Sequence, residues 1–289
     1  FVFASETCAF DMIGASYVDE VKPGELVRVV DGKLERQSFA RNTSNQLAHC
    51  IFEHVYFARP DSRIFGSNVH SARFEMGCQL AREHPCEADV VIPVPDSGNA
   101  AAAGFAHESG TPLGMGFVRN HYIGRSFIQP SQRQRDVAVK IKLNANRAVV
   151  EGMRVAVIDD SIIRGTTSRS RMARLREAAA KEVHLRISCP PTKHPCFFGI
   201  DFPDPKELVA NQMKIAEIAK FLEVDSLGYL SEAGMLSAVK NGKDFCTACF
   251  SGNYRSVRPG GFDKHGMENG AGTGKPKASS PKPRSKVKA

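Results

Sequence analysis

Val155-Ala156-Val157-Ile158-Asp159-Asp160-Ser161-Ile162-Ile163-Arg164-Gly165-Thr166-Thr167-Ser168 is the stretch on which the fold turns. Four consecutive apolar residues, Val155 to Ile158, predict a strand buried on both faces. Two acids follow at its carboxyl end, the edge at which open α/β sheets hold their ligands. Adjacent carboxylates are costly there unless a cation, a hydroxyl-rich ligand or nearby bases satisfy them. Gly165 permits a tight turn, and Thr166, Thr167 and Ser168 lead into a helix expected from about Ser168 to Ala180. Their hydroxyls, with the free N–H groups of a helix start, make an anion cradle that the helix dipole reinforces. Acids for a diol beside a cradle for a phosphate describe a site for a phosphosugar. The plainer alternative, an N-capped helix after an ordinary strand with its acids in solvent, leaves the combination of acids and cradle unexplained. No Gly-Lys-Ser/Thr is present, so this is not a Walker A loop.

The flanking chain alternates strand and helix. Ala72–Arg82 has helical apolar spacing, Val90–Val94 is a continuous apolar strand, and Ala100–His107 is an Ala-rich helix. Leu113–Val118 and Val183–Ile187 read as further strands. Strands joined by helices at this spacing pair in parallel, which predicts an α/β fold around a central, mainly parallel sheet. After Pro190 the chain turns helical, over Lys206–Asn211, Ile215–Leu222 and Glu232–Lys240. Ahead of the sheet, Phe1–Ala4 reads as a strand start and Cys8 as part of a strand-like segment. Leu26–Val30 and Lys33–Arg36 form a hairpin about Asp31-Gly32. This leading piece is too short to bury a core of its own.

Composition narrows the function classes. The chain has 289 residues, 42% hydrophobic and 24% charged, in line with a soluble globular protein. No apolar run approaches the roughly 18 to 20 residues of a membrane span, so no membrane role is expected. The net charge of +8 is local. Six of the 39 bases (Lys275, Lys277, Lys282, Arg284, Lys286, Lys288) lie in the acid-free segment 270–289, and the remaining 33 face 31 acids. The body is near neutral, which argues against a nucleic-acid partner, and the Gly/Pro/Ser/Lys tail reads as a disordered basic extension. Eight cysteines without a signal peptide argue for a reduced, cytoplasmic setting.

The segment Val155–Ser168 resembles the phosphoribosyl pyrophosphate (PRPP) signature of the type I phosphoribosyltransferases. That resemblance implies ribose hydroxyls and Mg2+ at Asp159 and Asp160, and the 5-phosphate wrapped by Ser161, Arg164, Gly165, Thr166, Thr167 and Ser168. Three further segments narrow it: Val94-Pro95-Asp96-Ser97-Gly98, the loop His121–Gln132 with Tyr122-Ile123-Gly124-Arg125-Ser126-Phe127-Ile128, and Cys50–Ser62. Each has a bland reading as well: a Pro-Asp turn, a surface excursion and a helix stop. Together, from near Phe1 to about Tyr254, they resemble the amidophosphoribosyltransferase family, in its iron–sulfur branch. By that resemblance Asp96 and Ser97 serve the pyrophosphate and metal site, with Ser97 joining Asp159 and Asp160 around Mg2+. Tyr122, Gly124, Arg125, Phe127 and Ile128 belong to a loop that closes over PRPP. Arg119 keeps a base where many members have Lys, whereas His121 weakens a position where they have Arg.

The family resemblance also implies the activity: ammonia displaces pyrophosphate from C1 of PRPP, with no side-chain nucleophile, and glutamine supplies the ammonia in the full-length enzyme. Small-molecule substrates and a homo-oligomer, a tetramer by family, are the expected partners. Residues 1–45 resemble the last strands of the family's N-terminal glutaminase domain, an Ntn-hydrolase fold whose first residue is a catalytic Cys. The chain is therefore expected to lack glutaminase chemistry, with a transferase domain at 46–255 and the tail at 256–289. A purine-base salvage transferase, a PRPP-sensing regulator and an inactive truncated relic are the alternatives; the intact acid pair and loop speak against a sensor.

Cys246-Thr247-Ala248-Cys249 alone fits zinc, redox chemistry or coincidence. The resemblance adds Cys50 and the Cys of His194-Pro195-Cys196, and four thiolates suit a [4Fe–4S] cluster. Zinc on the same four cysteines remains open on chemistry alone. Cys78, Cys86 and Cys189 match no ligand position and read as packing residues.

Overall fold

The computed structural model describes residues 1–39, 47–120, 143–202 and 204–255. Phe1–Arg255 pack as one compact unit. In chain order the strands are β1 (Glu25–Val30), β2 (Lys33–Ser38), β3 (His49–Cys50), β4 (Arg63–Ile64), β5 (Ser67–Asn68), β6 (Val90–Pro93), β7 (Phe117–Arg119), β8 (Leu143–Ala145), β9 (Arg154–Asp159), β10 (Glu182–Ile187), β11 (Ser226–Tyr229) and β12 (Phe245–Cys246). The helices are α1 (Cys8–Ile13), α2 (Val69–Glu83), α3 (Asn99–Ser109), α4 (Arg147–Val150), α5 (Thr166–Glu177), α6 (Val209–Gln212), α7 (Ile215–Leu222), α8 (Glu232–Ser237) and α9 (Ala248–Ser251), with a π-helix at Glu53–Phe57.

The core is a four-stranded sheet in the order β11-β10-β9-β6, every pair parallel. Residues Val155 to Ile158, Val91 and Ile92 are fully buried, as strands covered by helices on both faces must be. Register brings Pro93 beside Ile158, and Asp159 and Tyr229 beside Ile187, so the carboxyl ends of all four strands share one edge. Beyond β6 the chain makes one further parallel bridge, Val91 with Leu113. The chain thus leaves β6 toward Leu113 on one side and returns through β9 on the other. Between β6 and β9 lies a topological switch point, where a doubly wound sheet opens a crevice.

Several expectations are corrected. Phe1–Ala4 forms no strand, and Cys8 lies in helix α1. That piece is fixed by polar contacts: Glu6 Oε2 accepts from Arg59 N and Ser62 Oγ, both at 2.8 Å, and Thr7 Oγ1 accepts from Arg63 N at 2.8 Å. The Leu113–Val118 segment is not a sheet strand beyond the Leu113 bridge; Phe117–Arg119 instead pairs antiparallel with β8. Strand β11 was not expected. The hairpin is as expected: β1 and β2 pair from Glu25↔Ser38 to Val30↔Lys33, and Asp31 and Gly32 both take positive φ, the form a two-residue turn requires. Among the described residues no helix is long and apolar enough to cross a membrane.

Candidate functional site

β9 delivers Asp159 and Asp160 to the crevice, and both are buried, at 2% and 5% exposure. Asp159 Oδ1 accepts from Asp160 N at 3.0 Å, and its Oδ2 accepts from Arg171 Nη1 at 3.0 Å. Asp160 Oδ2 accepts from Ser161 Oγ at 2.5 Å. Burial first, and the Asp160 charge second, push the Asp159 carboxyl well above the usual carboxylate range, while Arg171 pulls it back. Two acids this close and this dry hold a cation or a hydroxyl-bearing ligand well, because either one relieves their repulsion. Mg2+ and a ribose diol fit that environment.

The cradle follows directly. Gly165 sits at the N-cap of α5 with φ +80°, a left-handed conformation open to glycine at no steric cost. No side chain caps this helix, so its first-turn N–H groups remain for an anion. Thr166 and Thr167 are exposed and Ser168 is buried; Arg164, also exposed, pairs through Nε with Glu207 Oε2 at 2.6 Å. Opposite, the turn after β6 is clamped to the acid strand: Val94 N donates to Ile158 O at 2.8 Å. A Cβ on Gly98 would lie 2.5 Å from Ile158 O, so only glycine lets this turn pack so closely. The turn presents Asp96, largely exposed and ion-paired with Arg119, and half-buried Ser97. The Pro95–Asp96 peptide is cis. The expected closing loop, with Tyr122, Gly124, Arg125, Phe127 and Ile128, and His121 before it, lies outside the described residues.

Two of the four expected cluster cysteines face each other. β3 and β12 pair in parallel with Cys50 opposite Cys246. Cys249 O accepts from Lys193 N and His194 N, both at 3.0 Å, tying α9 to the segment that carries Cys196. Burial pushes the Cys50 thiol up to about 11, with Glu53 and Cys196 adding to it. Burial pushes the Cys249 thiol further, and Cys50, Cys246 and Cys196 each contribute. Four half-buried thiols within electrostatic reach of one another fit a cluster's ligand set, since binding a cationic group as thiolates removes their mutual repulsion. Among the described residues no three such side chains close around a single point as ligands of one ion would. Of the other cysteines, Cys78 Sγ donates to Gly104 O at 3.3 Å between α2 and α3, a packing contact as expected. Cys189, buried just past β10, donates from Sγ to Pro190 O at 3.3 Å and is likewise a packing residue, as expected.

No family model matches the chain. The enzyme named amidophosphoribosyltransferase from Methanothermobacter thermautotrophicus is 48% identical over 265 residues, covering 91% of this chain and 56% of the relative. The Bacillus subtilis enzyme of the same name is 48% identical over 259 residues, 88% of this chain and 54% of its own length. A solved glutamine PRPP amidotransferase from B. subtilis, complexed with ADP and GMP, superposes with a TM-score of 0.81 at 46% identity over 89% of this chain and 57% of that one. Over the residues aligned, the chain matches these amidophosphoribosyltransferases at nearly half of all positions. A second structure, described as the allosteric regulatory enzyme of purine biosynthesis, gives the same TM-score at 47% identity. The α/β architecture is thus shared with these PRPP amidotransferase structures, and the chain spans about half the length of the relatives it matches.

Missed in the sequence was Arg171. Arg171 had a signal: it lies three residues after Ser168, on the helix face that Ser168 turns toward the sheet.

Proposed function

We propose that this chain carries the phosphoribosyl-transfer half of an amidophosphoribosyltransferase, making 5-phosphoribosylamine, the first committed intermediate of purine synthesis. The observation that carries the reading is a buried acid pair beside an uncapped helix N-terminus at the switch point of the sheet. Asp159 and Asp160 hold the ribose hydroxyls. Ser161 and the first turn of α5, from Arg164 to Ser168, hold the 5-phosphate. Asp96 and Ser97 flank the pyrophosphate. Ser97, Asp159 and Asp160 would hold Mg2+, which when bound would supply positive charge to offset the leaving pyrophosphate. Ammonia's lone pair forms the new C1–N bond as the C1–O bond to pyrophosphate breaks, and the surplus proton passes to solvent. The protein contributes positioning and exclusion of water, and needs no nucleophile of its own.

Cys50, Cys196, Cys246 and Cys249 hold a [4Fe–4S] cluster in this reading, binding the C-terminal helices to the start of the transferase domain. Glutamine as the nitrogen donor of the longer protein, assembly as a homo-oligomeric tetramer and a cytoplasmic location belong to the same proposal by family resemblance. The test is PRPP-dependent pyrophosphate release by the 289-residue chain. Release with ammonium and none with glutamine is expected. Release with neither, from folded protein, contradicts the proposal.

A further inference from the structure

We propose that Arg171 is a positioning residue of the PRPP site, an internal counterion that holds Asp159 in place and leaves the acid pair with one net negative charge instead of two. The inference rests on the PRPP reading above and concerns a residue that reading does not use.

Arg171 sits in α5, the helix whose first turn forms the phosphate cradle. Its side chain is 30% exposed, and its Nη1 meets Asp159 Oδ2 at 3.0 Å. Asp159 Oδ1 is taken by the backbone N–H of Asp160. Both oxygens of Asp159 are therefore held by the protein, and the carboxylate has one orientation. The hydrogen bond is charge-assisted and its acceptor is buried, so it is among the stronger contacts at this edge. One rigid helix thus carries both the anion cradle and the cation that fixes the diol-binding acid. Any shift of α5 moves the two together, which keeps the spacing between phosphate and ribose subsites constant.

The charge matters as much as the position. PRPP is a polyanion, and two uncompensated carboxylates at its binding edge repel it. Arg171 removes one of those charges without a metal. Where Arg171 is absent, Mg2+ has to neutralise both acids before PRPP can approach.

Calorimetric titration of PRPP into wild type, Arg171→Gln and Arg171→Lys across a series of Mg2+ concentrations tests this, with circular dichroism as the check on folding. Arg171→Gln is expected to bind PRPP about tenfold or more weakly at low Mg2+, the value of one charge-assisted hydrogen bond. The gap to wild type should narrow as Mg2+ saturates. Arg171→Lys, which keeps the charge, should recover most of the affinity at low Mg2+ and stands in should Arg171→Gln fail to fold. Equal affinity of wild type and Arg171→Gln at every Mg2+ concentration overturns the inference. A loss that is the same at all Mg2+ concentrations and is not recovered by Lys overturns it too, because that pattern belongs to a residue that only supports the helix. Failure of wild type itself to bind PRPP is a separate result and overturns the functional reading beneath it.

Discussion

His54 gives the sharpest quantitative expectation. It lies in the π-helix, fully buried, and neither ring nitrogen has a hydrogen-bond partner. Phe245 packs edge-on at 5.4 Å and Phe65 is tilted at 6.1 Å. Burial, then the Arg73 charge, lowers its pKa from 6.5 to about 4; the nearby Ser67 backbone, outside hydrogen-bonding geometry, opposes this only in part. The folded-state pKa is below the unfolded one, so the unfolded chain binds the extra proton between pH 6.5 and 4. Stability therefore falls as pH falls through that window. From these two pKa values the loss between pH 7.5 and pH 5 is about 2 kcal/mol. His54→Phe removes the titrating group and fills the same aromatic niche. It also removes two unpaired buried nitrogens, worth about 1 to 3 kcal/mol at any pH. The variant should be more stable at pH 7.5, with the difference widening by about 2 kcal/mol at pH 5. Urea unfolding followed by far-ultraviolet circular dichroism measures it, since the chain has no tryptophan. Parallel stability-versus-pH curves for wild type and variant would refute the reasoning.

Arg73, which is buried and donates to His54 O at 2.6 Å, Ala58 O at 2.8 Å and Glu53 O at 3.4 Å, closes the carbonyl end of the π-helix. Arg73→Met should lower the unfolding free energy by about 3 kcal/mol in urea at pH 7.5, because the carbonyls of His54 and Ala58 lose a charged donor while that of Glu53 keeps Ala58 N. Gly98→Ala places a Cβ 2.5 Å from Ile158 O and 2.8 Å from Val94 O. The turn bearing Asp96 and Ser97 must then move off the acid strand, and PRPP affinity by calorimetry should fall about tenfold. Anaerobically purified protein should be brown with roughly four irons per chain. Replacing Cys50, Cys196, Cys246 or Cys249 by Ser should bleach it and lower its thermal midpoint, whereas Cys78→Ala or Cys86→Ser should leave the colour. One zinc in colourless protein would keep the four-ligand site and remove the cluster.

What could be read ahead of the structure follows from how each element is stabilised. β6 and β9 are continuous or near-continuous apolar runs, because they are buried on both faces, and such runs stand out; β10 shows instead as the alternation Val183, Leu185, Ile187. β11 is four residues, Ser226-Leu227-Gly228-Tyr229, with its first half only partly buried, and carries no comparable pattern. Cys8–Ile13 is six residues long, too short for a helical period to separate it from a strand, and tertiary hydrogen bonds to residues 59–63 hold the segment. The acid pair and Gly165 were legible because their chemistry is contiguous in the chain. For Arg171 the spacing from Ser168 marks only its helix face; its partner Asp159 lies 12 residues earlier and on another element. The opposition of Cys50 and Cys246 depends on a two-residue parallel pairing that spacing alone does not encode.

The account stands or falls on the acid pair, and titration of PRPP with Mg2+ into wild type and an Asp159→Asn, Asp160→Asn double variant tests it most directly. Wild type should bind PRPP at a single saturable site, and the double variant should show no binding while keeping the wild-type circular dichroism spectrum. Unchanged affinity in a folded double variant would contradict the account.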